Sequence, residues 1–199
     1  MERAPGATFT VNDEWLVLGV HIAEADRLWL RRAWLRGRTS ARQALLLDFS
    51  HGSARFAPGL VTGHRLTATL AFYPSAAPLR ALFTQPPQQL PDGPPVQPAP
   101  LTDELARLTA QIAANPWQLR HGLFVAGVPE PAGAEWVLRL GDDRALRLQL
   151  GDDSAWPLVA VAGGLPVAVF GEWDGEHLRP LSAWGPGLIW TDGNARGNA

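Results

Sequence analysis

Two acidic segments stand ten residues apart, Leu138-Arg139-Leu140-Gly141-Asp142-Asp143 and Leu148-Gln149-Leu150-Gly151-Asp152-Asp153. Their four carboxylates are the hard oxygen donors that calcium or magnesium takes. The spacing argues against a shared ion. Successive turns of a meander lie at opposite ends of the strand between them, and a strand of about seven residues separates them by roughly 20 Å. The pair reads as two turns of a β-meander, and no metal site is expected.

Asp48, Ser50 and His51 supply the side-chain types of a hydrolytic triad. Triad members converge from separated segments, however, and the chain has no G-x-S-x-G elbow. The five histidines, His21, His51, His64, His121 and His177, show no H-E-x-x-H or similar ligand spacing. They read as surface or internally satisfied side chains.

A third cluster offers recognition rather than catalysis. Arg27, Arg31, Arg32, Arg36, Arg38 and Arg42 fall within sixteen residues, interleaved with Trp29 and Trp34. Guanidinium forks beside aromatic planes suit phosphate, nucleic acid or an acidic partner. The competing reading is a solvated strand face whose tryptophans point into the core. The strip Arg32, Trp34, Arg36, Arg38 and Arg42 is the expected contact surface, provided that Trp34 is exposed, as a binding hot spot would be.

Two absences narrow the chemistry. The 199 residues include no cysteine, which excludes disulfides, thiolate nucleophiles, iron–sulfur clusters and cysteine-bound zinc. They also include no lysine, because every one of the 17 basic side chains is arginine. A Walker A clamp, a lysine Schiff base and a kinase-type ATP lysine are therefore ruled out. The formal charge of −2 gives no field that steers nucleic acid or membrane. No apolar run approaches the roughly 20 residues of a membrane span. Met1 to Thr10 has no apolar signal region, so the cytoplasm is the expected address and no membrane contact is expected.

The elements that must position these residues read as mostly antiparallel strands. Trp15–Ile22 is a buried strand, and Leu28–Arg36 forms a hairpin with Ala44–Phe49 across the Gly37–Ala41 turn. On that strand Leu28, Leu30, Arg32 and Trp34 share one face, while Trp29, Arg31, Ala33 and Leu35 share the other. In Leu66–Phe72 the alternation puts Leu66, Ala68, Leu70 and Phe72 on one side. Seven prolines between Gln85 and Pro100 predict an extended linker. One helix follows, capped by Thr102, striped by Leu105, Leu108 and Ile112, and ended by Asn115-Pro116. Leu119–Val128, Trp136–Leu140, Ala145–Leu150, Pro157–Val161, Pro166–Phe170 and Leu178–Trp184 all read as strands. From Gly185 the chain is Gly- and Asn-rich and is expected to fray.

Several ordered blocks carry a resemblance. They are Arg32-Ala33-Trp34-Leu35-Arg36-Gly37-Arg38-Thr39-Ser40 running into Leu45–Phe49, and Ala71-Phe72-Tyr73-Pro74-Ser75-Ala76-Ala77-Pro78-Leu79-Arg80-Ala81-Leu82. Trp156-Pro157-Leu158 through Gly163-Gly164, Gly171-Glu172-Trp173 and Leu178-Arg179-Pro180-Leu181-Ser182 complete the set. Together they resemble the C-terminal region of bacterial SWIM zinc-finger family proteins. That family takes its name from a C-x-C…C-x-H motif, and this chain has no cysteine, so no zinc ligand transfers to it. The resemblance implies an accessory module without catalytic residues.

The expectation is an α+β protein with a β-rich domain at 1–84, a proline-rich linker at 85–100, an α+β domain at 101–184 and a flexible tail at 185–199. It is expected to be a non-enzymatic interaction module with no cofactor and with a protein partner. A nucleic-acid-binding β-domain using the Arg/Trp strip and a hydrolase with dispersed catalytic residues remain as alternatives.

Overall fold

The structure, a computed structural model, describes residues 9–91, 93, 97–141 and 144–192. The protein is β-rich, of the α+β class, with two six-stranded sheets and two helices among the described residues. The described residues divide into two compact units, one within residues 1–93 and the other within residues 94–193.

In the first unit β1 (Phe9–Ala25), β2 (Leu28–Gly37), β3 (Gln43–His51), β4 (Arg65–Phe72), β5 (Arg80–Phe83) and β6 (Gln88–Leu90) form one sheet. Its order is β1-β2-β3-β5-β4-β6, and β1 also pairs with β4, so the first five strands close into a barrel. β1 achieves this by serving two partners. Phe9–Leu16 pairs with β4, Trp15–Ala25 pairs with β2, and a register shift between Val17 and Gly19 bends the strand between the two. The barrel is filled by alternating residues of each strand, including Trp15, Val17, Ala33, Leu35, Leu46, Leu70 and Phe72. The Trp15 indole N–H donates to the Ala68 carbonyl at 3.0 Å, so even the polar atom of the largest core side chain is satisfied.

The second unit repeats the connectivity. β7 (His121–Ala132), β8 (Glu135–Arg139), β9 (Ala145–Leu148), β10 (Val167–Trp173) and β11 (His177–Trp184) pair in the ring β7-β8-β9-β11-β10, and β12 (Leu188–Thr191) adds to β11. In both rings the third and fifth strands are parallel and every other neighbour is antiparallel. This is a five-stranded Greek-key barrel, the arrangement of the OB-fold class. At Gly171 a register shift brings the Arg179 carbonyl so close that a Cβ would collide with it, which leaves glycine as the residue that fits.

The Leu28–Arg36 hairpin and the alternation in β4 lie where the sequence places them. Five expectations need correction. Pro157–Val161 is not a strand but part of helix α2 (Asp152–Ala162), with Ala155, Leu158 and Ala162 buried. A short apolar run reads equally as a buried strand or a buried helix. Here Asp152 and Asp153 at the N-terminus and Gly163 in the left-handed conformation (φ 59°) at the C-terminus favour the helix. The second acidic turn is therefore that helix start, whereas Asp142 and Asp143 lie outside the described residues.

Gln88–Leu90, inside the expected linker, pairs with Arg65–Thr67 of β4, so the first unit runs past residue 84. Asp92 and Pro94–Val96 lie outside the described residues. The expected fraying tail contains β12, where Trp190 is buried. Residues 193–199 lie outside the described residues. Helix α1 (Leu101–Ala114) ends at Asn115 as expected, but its N-cap is Pro100 rather than Thr102. It buries Glu104 and Leu108, while Ile112 is exposed.

Candidate binding groove

The two barrels differ where their third strand leaves for the fourth. In the second unit that connection is α2, whose Ala155, Leu158 and Ala162 join the barrel core. In the first unit it is the helix-free segment 52–64. The end of the first barrel is closed instead by a polar plug. Arg31 and Asp48 are cross-strand partners whose side chains project on the interior face of the barrel. Arg31 Nε and Nη2 donate to Asp48 Oδ2 at 2.9 and 2.7 Å, and Nη1 donates to the Pro58 carbonyl at 2.7 Å. The Arg31 guanidinium also lies 5.0 Å from the centre of the Phe56 ring. Only 3% of the arginine side chain is exposed, so this buried cation is tied down on every side.

Beside the plug lies a groove of about 690 Å³. Its walls come from β3, from the 55–58 segment, from Tyr73, from β5 and from Gln85–Pro87. It opens because β3 and β5 pair for only two steps, Leu45 with Arg80 and Leu46 with Ala81. Beyond them β3 continues to His51 against β2 alone, and Leu82–Phe83 continues against β4 alone. The direction of the unpaired backbone follows from the hydrogen bonds at each end. Gly37 N–H donates to the Arg42 carbonyl and Gly52 N–H to the Arg27 carbonyl, so even-numbered positions of β3 bond to β2. Leu45 N–H donates to the Leu79 carbonyl, so odd-numbered positions face β5. The amide and carbonyl of Phe49 therefore point into the opening.

The groove is apolar and cationic. Phe49, 57% exposed, is joined on the walls by Phe56, Tyr73 and Phe83. Arg80 is exposed with its guanidinium 4.8 Å from the centre of the Tyr73 ring, and Arg55 is exposed with no ion pair among the described residues. Of the acidic side chains, Asp48 lines the wall, and Arg31 holds it. The charge of the surrounding unit has the same sign. Residues 1–93 hold ten arginines against seven acidic side chains, a formal +3, whereas residues 94–193 hold six against twelve, a formal −6.

The strip singled out in the sequence has a different fate. Arg32, Trp34 and Arg36 do share one strand face, and Arg38 and Arg42 do flank the following turn. Trp34, however, is fully buried, which removes the exposed aromatic that made the strip a contact surface. Arg38 pairs with Glu14 at 3.1 Å, Glu14 also holds Arg65, and Arg42 lies 5.0 Å from the centre of the Phe9 ring. The turn itself is organised by Asp13. Its two oxygens accept from Thr39 N–H at 3.1 Å and Ser40 N–H at 2.8 Å. Burial alone would raise the Asp13 pKa, but the bonds from Ser40 and Thr39 outweigh it and hold the carboxyl below its ordinary 3.8.

Asp48, Ser50 and His51 do not form a triad. Asp48 is engaged by Arg31, and alternation turns His51 away from Asp48 and Ser50 on the strand. Of the histidines, His21 and His121 are buried, and burial, opposed in part by a bond involving Gln118 and reinforced by Arg107, lowers the His121 pKa. Among the described residues no three His, Asp or Glu side chains gather as a metal site.

Sequence reasoning missed the groove residues Phe49, Arg55, Phe56, Tyr73 and Arg80. One signal was available: Leu45, Leu47 and Phe49 make the second face of β3 as apolar as the first, which is unusual for a strand with a solvated side. No protein-family model, curated protein or solved structure matches the chain.

Proposed function

We propose that the chain is a non-enzymatic interaction module that works beside or within a bacterial SWIM-type zinc-finger assembly and binds a protein partner through its first barrel. One observation carries the reading: the first barrel has an open, aromatic and cationic groove walled in part by residues of the 52–64 connection, whose counterpart in the second barrel is helix α2. Small Greek-key barrels as a class present such faces to extended ligands, a fold-level analogy that the groove makes specific. The test is native purification of the tagged chain from its own cell. Recovery in fixed stoichiometry with a polypeptide carrying a C-x-C…C-x-H segment supports the reading, and recovery of the chain alone contradicts it.

A second reading, a nucleic-acid-binding barrel, draws on the same residues. Arg55 and Arg80 beside Phe49 and Tyr73 combine cations with stacking platforms, in a unit of positive formal charge. It requires affinity for single-stranded DNA that falls steeply between about 50 and about 200 mM salt. The hydrolase reading gains nothing from the groove, because no histidine lines its described wall and Asp48 is bound to Arg31.

A further inference from the structure

We propose that the groove binds its partner by strand addition: an extended segment with alternating acidic and apolar residues pairs with the free edge of β3 at Phe49. This rests on the interaction-module reading and specifies what that module recognises.

Three observations converge on this ligand. The first is the backbone. An unpaired strand edge is a template for another chain, and β3 exposes one from the Leu47 carbonyl onward because β5 diverges after Ala81. A barrel is expected to close its edges, so an opening flanked by two strands that each keep only one neighbour offers a free backbone edge to an added strand. The second is the alternation of surfaces. Leu46, Ala81 and Phe83 line one side of the groove from the barrel interior, and Leu47, Phe49 and Leu82 line the other. A strand entering between them presents successive side chains to the two sides in turn. The third is charge. Arg55 and Arg80 lie on the exposed rim, Asp48 is neutralised by Arg31, and the unit as a whole is cationic. Acidic side chains on the rim-facing positions of the segment meet two guanidinium groups, whereas basic ones meet only Asp48, which Arg31 already holds. A stacked oligonucleotide uses the aromatics and arginines but leaves the amide and carbonyl of Phe49 without a strand partner. That favours a polypeptide.

The discriminating variant is Phe49→Pro. Proline at this position deletes an N–H that faces the groove and leaves the bonds from β3 to β2 intact, because those come from even-numbered positions. Phe49→Leu keeps the N–H and an apolar side chain. Arg55→Glu combined with Arg80→Glu reverses the rim charge without changing any residue of β3.

The experiment selects phage-displayed random peptides of about a dozen residues against the purified full chain, with oligothymidylate as a competing ligand. We expect enriched sequences that alternate acidic and apolar residues and tolerate Phe49→Leu. Loss of one backbone bond should weaken them about five- to tenfold on Phe49→Pro. The doubly charge-reversed variant should select basic sequences instead. Three results would each overturn the inference: no enrichment, enriched peptides that bind every variant equally, or peptides displaced by oligothymidylate that itself binds the groove tightly. If Phe49→Pro fails to fold, the rim variant alone decides, because unchanged peptide preference there removes the charge argument and the site with it. None of these results depends on the SWIM-type partner, so failure here leaves native co-purification as a separate test of the module itself.

Discussion

Arg31 and Asp48 face each other across β2 and β3, joined by two hydrogen bonds to a single carboxylate oxygen, Oδ2, at the mouth of the first barrel. The arginine is almost wholly buried, while the carboxylate is 37% exposed toward the groove. The pair closes the barrel and forms part of its binding wall. Asp48→Ala leaves a buried cation with only the Pro58 carbonyl and the Phe56 ring, and should cost about 2 kcal/mol by urea unfolding. The double change Arg31→Met with Asp48→Leu should cost less than the sum of the two single changes. Strict additivity would show that the ion pair is not coupled.

Asp26 and Arg27 form the two-residue turn between β1 and β2, and both have positive φ, 50° and 63°. Glycine adopts that conformation without the Cβ penalty that arginine carries. Arg27→Gly should therefore stabilise the chain by about 1 kcal/mol and raise the melting temperature by a few degrees. A lowered melting temperature would mean that the arginine side chain contributes more than its backbone strain costs.

Asp13 predicts the direction of acid sensitivity. Its folded pKa lies below the unfolded value, so ionised Asp13 stabilises the folded state fully above 3.8. That contribution is lost as pH falls from 3.8 through the depressed folded value. Asp13→Asn should flatten the acid limb of the stability curve in this range and lower stability at neutral pH. An unchanged acid limb would show that the Thr39 and Ser40 bonds do not favour the charged form.

The two units have separate cores, one around Trp15, Leu35 and Phe72 and the other around Leu138, Leu158 and Leu178. Fragments 1–93 and 94–199 should each give a β-type circular dichroism spectrum and a cooperative melt. Cutting at residue 85 instead removes Gln88–Leu90 from β4 and should lower the melting temperature of the first fragment. Two unfolded fragments would show that the cores depend on each other.

Metal should not matter. Thermal melts with and without chelator are expected to superimpose, and a loss of several degrees on chelation would reveal a bound ion.

The strands were legible where one face is apolar and the other is not, as in Leu66–Phe72, and where turn residues bound an apolar run, as Gly37–Ala41 does in the Leu28–Phe49 hairpin. The information failed where local pattern is ambiguous. Ala155 to Ala162 is apolar on every side, so no periodicity separates helix from strand, and only Asp152, Asp153 and Gly163 mark the helix ends. β12 was hidden because Gly185, Gly187 and Gly193 surround a strand of four residues. Ring closure could not be read at all, since pairing of β1 with both β2 and β4 depends on a bulge that leaves no local mark except Gly19. The groove was lost for the same reason: it exists because two strands distant in sequence stop pairing after two steps. The Arg/Trp strip was visible as composition, but burial of Trp34 is decided by tertiary packing.

Amide hydrogen exchange at Phe49 tests strand addition most directly. In the isolated chain this N–H should exchange rapidly while those of Asp48 and Ser50, bonded to β2, stay protected. Addition of a selected acidic–apolar peptide should slow Phe49 and leave its neighbours unchanged. Phe49 already protected in the isolated chain, or unaffected by a bound peptide, would contradict an open β3 edge as the binding site.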